Sequence, residues 1–69
     1  MLEAINYEKK IRAIIWLDES AGYYLYIYEL NSNRPYMDRH CGTLEQAYIQ
    51  AKLEFGISKD EFKEIKGTL

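Results

Sequence analysis

Residues 22–30 read Gly-Tyr-Tyr-Leu-Tyr-Ile-Tyr-Glu-Leu, a run of aromatic and aliphatic side chains that favours extended backbone. Successive side chains of a strand point to opposite faces. One face therefore carries Tyr24, Tyr26, Tyr28 and Leu30, and the other Tyr23, Leu25, Ile27 and Glu29. Both faces are too apolar to be left in water, yet a chain of 69 residues can lay its own helix over only one of them. The second face is expected to meet a second copy, a partner protein or a ligand.

The chain length fits a single domain over residues 1–69. A domain of this size buries only roughly 60% of its unfolded surface, so it needs a disulfide, a metal or an oligomer to gain margin. Cys41 is the one cysteine, which excludes an internal disulfide and suits a reducing, cytoplasmic setting. No Cys, His and carboxylate cluster has metal-ligand spacing, so no metal or cofactor is expected, and self-association is the remaining device. The seven tyrosines support it, because Tyr is amphipathic and loses little rotamer entropy when ordered at an interface. A net charge of −2 argues against a nucleic-acid footprint, and no apolar run approaches membrane-spanning length.

Residues 10–17 (Lys-Ile-Arg-Ala-Ile-Ile-Trp-Leu) read as a first strand, joined to residues 22–30 by a polar loop ending at Gly22. Setting Leu17 opposite Tyr23 pairs Ile15 with Leu25, Ala13 with Ile27 and Ile11 with Glu29 on one face. The other face then pairs Trp16 with Tyr24, Ile14 with Tyr26 and Arg12 with Tyr28. A one-residue slip would mix the two sets, so this register is expected. Asn31 to Pro35 is a turn signal, and Tyr36 to Cys41 reads as a third, polar edge strand.

Thr43 and Gln46 form a capping box opening a helix in which Leu44, Ala47, Tyr48, Ala51 and Phe55 share a face and Gly56 is the stop. Ile49 and Leu53 form a narrow stripe on its far side, expected to lie under Ile57, Phe62 and the C-terminal tail or else to meet a partner. Ser58 and Glu61 form a second capping box, which favours a short helix over residues 59–65 with Gly67 as its stop. A strand from Phe62 to Ile65 competes with it. Residues 1–9 fit either an extension of the first strand or a turn of helix. The expected fold is thus α+β: a three-stranded antiparallel meander packed on one amphipathic helix, then a short C-terminal helix or strand. Ile11, Ala13, Ile15, Leu17, Tyr23, Leu25 and Ile27 should face the helix.

No catalytic constellation emerges. His40 and Cys41 are neighbours, which on a strand point apart and cannot act as a dyad. Asp38 and His40 share a face, where a hydrogen bond would raise the imidazole pKa. Cys41 is expected to be dispensable. The residues left for partner binding are Trp16, Tyr24, Tyr26, Tyr28, Ile49 and Leu53.

The glycine-led strand from Gly22, with Tyr23, Glu29 and Leu30, and the later Gly42-Thr43-Leu44-Glu45-Gln46-Ala47 segment are similar to the N-terminal domain of HicB-type antitoxins. The order of elements also resembles small bacterial proteins of a strand–strand–strand–helix kind. Asn31 to Pro35 stands where the antitoxin family has a Leu-Pro-Gly-Cys turn, and no DNA-binding segment follows within the 69 residues. The resemblance implies a non-enzymatic inhibitor or regulator that binds a toxin or nuclease, as an antitoxin or immunity protein does. The alternative from the residues alone is single-stranded nucleic-acid binding, with bases stacking on Trp16, Tyr24, Tyr26 and Tyr28 and with Lys9, Lys10 and Arg12 at the rim.

Overall fold

A computed structural model of the chain describes residues 1–65. Its elements are β1 (Leu2–Asn6), β2 (Ile11–Asp18), β3 (Gly22–Glu29), β4 (Pro35–Cys41), α1 (Leu44–Phe55), a single 3₁₀ turn (Lys59–Glu61) and β5 (Lys63–Glu64). The strands form one antiparallel sheet in the order β4-β3-β2-β1-β5. The class is α+β as expected, but the meander has four strands rather than three, and a fifth joins its edge.

The pairing of β2 with β3 is the expected register, from Leu17 opposite Tyr23 to Ile11 opposite Glu29. The Asp18–Gly22 loop closes through Ala21 N–H donating to Asp18 O at 3.2 Å, with Gly22 at φ +98°. A Cβ on Gly22 would sit 3.0 Å from the Cys41 carbonyl oxygen, so both the dihedral and the close approach of β4 require glycine. The residues before Lys10 form a strand of their own, β1, instead of extending β2 or coiling. The reversal uses Lys10 at φ +58° and Asn6 Oδ1, which accepts from Lys9 N–H at 2.9 Å.

The Thr43 cap at the start of α1 forms, while the Gln46 side chain bonds one residue ahead of the N-cap rather than closing the expected box on Thr43. Thr43 Oγ1 accepts from Gln46 N–H at 3.1 Å, and Gln46 Oε1 reaches back to Gly42 N–H at 3.0 Å. Gly56, at φ +67°, ends the helix and turns the chain so that Ile57 enters the core. Lys9 Nζ donates to Phe55 O at 2.7 Å, placing a cation on the helix C-terminus.

The core lies on one face of the sheet, where Ala4, Ile11, Ala13, Ile15, Leu25, Ile27 and Cys41 pack with Ala47, Ala51 and Ile57. The helix rests on β3 and β4, and the 3₁₀ turn packs on β1. Phe62 joins them, its ring edge-on to Tyr48 at 5.6 Å. Leu17 was expected in this core, but it is 49% exposed: at the hairpin end of β2 it lies beyond the packed cluster. Arg39 also stands on the helix face, opposite Leu25, and reaches Glu54 at 3.2 Å.

The second capping box holds only one turn. Ser58 N–H donates to Glu61 Oε2 at 2.7 Å, and Phe62 already has strand dihedrals. Lys63 and Glu64 pair with Glu3 and Leu2, and Ile65 N–H donates to Met1 O at 2.9 Å. The short strand therefore replaces the expected helix over 59–65, because the open edge of β1 supplies backbone partners that a further helical turn would forgo. The expected stop at Gly67 lies outside the described residues.

Leu25 is fully buried between the β2 partner Ile15 and the helix layer. Leu25→Ala should cost about 2–5 kcal/mol. Chemical denaturation checks this: a loss below 1 kcal/mol would place Leu25 outside the core.

Candidate functional site

Among the described residues, no helix lies on the opposite face of the sheet. Three rows of side chains cross it, fixed by the strand registers. The middle row runs Lys63, Glu3, Ile14, Tyr26, Asp38. Toward the Asp18–Gly22 turn lie Trp16, Tyr24 and His40, and toward the other end Ile5, Arg12 and Tyr28.

The tyrosines are not equivalent. Tyr24 and Tyr26 stack, with ring centroids 5.9 Å apart and planes at 19°, and Tyr24 tilts against the His40 ring at 5.1 Å. Both remain part-exposed, and Trp16 beside them is 39% exposed. Tyr28 is 6% exposed, because the Arg12 guanidinium lies 4.5 Å over its ring. An incoming molecule would meet Arg12 there, with Tyr28 as its support. Arg12 Nη1 is 3.7 Å from Glu3, a loose ion pair, and among the described residues Arg12 Nε has no acceptor.

Desolvation by burial, followed by the neighbouring Tyr24 and Asp38, pushes the Tyr26 hydroxyl above its ordinary pKa. Tyr26 is thus a neutral hydrogen-bond donor throughout the physiological range. At the turn, Asp18 accepts from the Ser20 hydroxyl at 2.8 Å and from Ser20 N–H at 2.9 Å. These bonds, the hydroxyl first, hold its carboxyl below the ordinary value. Both bonds stabilise the loop.

His40 and Cys41 point to opposite faces. The imidazole Nε2 donates to Ala21 O rather than pairing with Asp38, and it ties β4 to the hairpin turn. Cys41, expected to be dispensable, is 6% exposed and packs within the core. A serine there would bury a hydroxyl at a cost of about 1–3 kcal/mol. Burial, and secondarily Glu54, raises the thiol pKa, the reverse of what a nucleophile needs. Among the described residues, no group of three or more His, Cys, Asp or Glu side chains converges on a common point.

Ile49 and Leu53 lie on the outer side of α1 and are 49% and 78% exposed. Of the expected cover, Ile57 and Phe62 turn inward to the core instead, and the C-terminal tail beyond Ile65 lies outside the described residues. They border a shallow groove of about 380 Å³ with Tyr48, Lys52 and Lys59. The molecule thus separates the predicted partner residues into two surfaces, one on the bare sheet face and one on the back of the helix. Sequence reasoning did not single out Ile5, Glu3, Asp38 or Lys63 as members of the sheet face. Ile5 and Glu3 were hidden by the unassigned β1, and Lys63 by the expected C-terminal helix.

A cleft of about 660 Å³ also opens at the far end of the sheet, between Tyr7, Lys10, Glu29, Asn31 and Tyr36. Among the described residues, no helix is long and apolar enough to cross a membrane. Comparison with known proteins found no matching family model, no matching curated protein and no matching solved structure.

The buried, high-pKa Cys41 thiol should react with an alkylating reagent at pH 7.5 at least about tenfold more slowly in the native chain than in denaturant. Equal rates by mass spectrometry would show the thiol to be open and activated.

Proposed function

We propose that the protein is a non-enzymatic protein-interaction module of the cytoplasm, of the antitoxin or immunity type, which binds through the bare sheet face. The carrying observation is that face itself: Trp16 and the stacked Tyr24 and Tyr26, part-exposed and continuous with buried Ile14, on a sheet whose other side is already filled by α1 and Ile57. Aromatic side chains and arginine concentrate binding energy when a partner dries them, and here Arg12 stands beside them on its Tyr28 support. The occupant is a second copy of the chain, a toxin or nuclease of the kind the antitoxin resemblance implies, or each in turn. Ile49 and Leu53 offer a second, smaller contact on the back of the helix.

Stacking of single-stranded nucleic acid is the second reading, and the Tyr24–Tyr26 pair is what favours it. The charges weigh against it. Lys9 is engaged with Phe55 O, Arg12 is paired with Glu3, and Asp38 adds an anion to the same face. Binding to single strands would weaken steeply with salt, which an apolar protein interface would not.

Trp16→Ala and Tyr26→Ala should each weaken association by roughly thirtyfold or more, as for a central hot-spot residue. Each should cost far less stability than Leu25→Ala. Parallel denaturation and binding measurements on the three variants check this. Equal losses of stability, with no separate effect on association, would show the tyrosine face to be an extension of the core.

A further inference from the structure

The two edges of the sheet are closed in different ways. β5 is two residues long, both charged and exposed, and so offers little backbone to a further strand. β4 is seven residues long and forms the other edge. The direction of its backbone groups follows from the registers. Lys10 and Leu30 continue the β2–β3 register by one step, and Leu30 N–H donates to Lys10 O at 3.1 Å. Hydrogen-bonded and non-hydrogen-bonded pairs alternate along an antiparallel ladder, so the even-numbered residues of β3 bond to β2, and Tyr23, Leu25 and Ile27 bond to β4. Their partners are Cys41, Arg39 and Met37. The backbone N–H and C=O of Asp38 and His40 are left facing out from the sheet.

This edge is obstructed at three levels. Where β4 begins, Pro35 has no N–H, and a bulge beside Ile27 and Tyr28 breaks the ladder. Just past its end, Gly42 N–H is taken by Gln46 Oε1 at 3.0 Å. In the middle, Arg39 Nη1 donates to the outward Asp38 O at 2.8 Å. The Arg39 side chain is braced in that position by its Nε, which donates to Glu54 Oε1 on α1 at 3.2 Å. An added strand would lie about 4.8 Å from β4 and would compete with the guanidinium for Asp38 O. We propose that Arg39 is an edge guard: braced on Glu54, its guanidinium blocks the pairing of a further strand along β4 and keeps association of the molecule off this edge. The guard is independent of what binds the bare sheet face.

Sedimentation equilibrium on the full chain tests the guard. All variants are compared in a Trp16→Ala background, which keeps association through the bare sheet face out of the comparison. Arg39→Ala should self-associate about tenfold or more tightly than the chain with Arg39, by pairing of β4 edges. Glu54→Ala loses the same ion pair but keeps a guanidinium beside Asp38 O, so its association should stay near that of the chain with Arg39 and Glu54. The double variant R39A/D38P should fall back to that level, because proline removes the outward N–H of residue 38 without costing a β3–β4 bond. Arg39→Ala that associates no more tightly would overturn the guard. Equal association of Arg39→Ala and Glu54→Ala would also overturn it, since loss of the ion pair would then be the cause. Association undiminished in R39A/D38P would overturn it as well, because it would arise from partial unfolding and not from the edge.

Discussion

The pairing of β2 with β3 separates the side chains of this protein into two kinds. Ala13, Ile15, Leu25 and Ile27 fall on one side of the sheet, and Trp16, Tyr24 and Tyr26 on the other. The first set is small, aliphatic and completely buried. Its flat surface admits α1 closely enough for Ala47 and Ala51 to reach zero exposure. Each fully buried aliphatic side chain contributes about 1.5–3 kcal/mol, a large fraction of the stability available to a domain of this size. A slip of one residue would send the aromatics under the helix and expose the aliphatics, so the whole architecture depends on this one register.

Coverage of the core is shared. The helix lies over β3 and β4, and the chain after Gly56 covers the other half, with Ile57 fully buried, the 3₁₀ turn on β1 and Phe62 against Tyr48. Lys9 ties the β1–β2 turn to the helix C-terminus through Phe55 O, and Arg39 ties β4 to Glu54. All of this material is spent on a single face. The opposite face keeps its tyrosines, with Arg12 and Glu3 as a polar seam.

The β2–β3 register and the helix with its caps were legible because each rests on several residues agreeing: segregated pairs in one case, Thr43, Gln46 and Gly56 in the other. The N-terminal strand was not legible, because its reversal is made by Asn6 and by Lys10 at positive φ, with no glycine or proline to mark it. At the C-terminus the capping box was read correctly but extended too far. Local capping starts a turn, and the free edge of β1 then takes Lys63 and Glu64 into the sheet. The same two elements bring Glu3, Ile5 and Lys63 to the bare face, so its aromatic centre could be named from sequence while its charged margin could not. Tyr28 looked equivalent to Tyr24 and Tyr26 by alternation, and differs because Arg12 lies across it.

Trp16, the one tryptophan in the chain, sits on the bare face at 39% exposure and reports on that face alone. The most direct test of the account is acrylamide quenching of its fluorescence as a function of protein concentration. Efficient quenching in dilute solution, falling as the concentration rises through the micromolar range, is the predicted result. Quenching that stays efficient and independent of concentration would exclude a second copy as the occupant, and quenching that is already weak in dilute solution would show the face to be covered by the chain itself and would contradict the account.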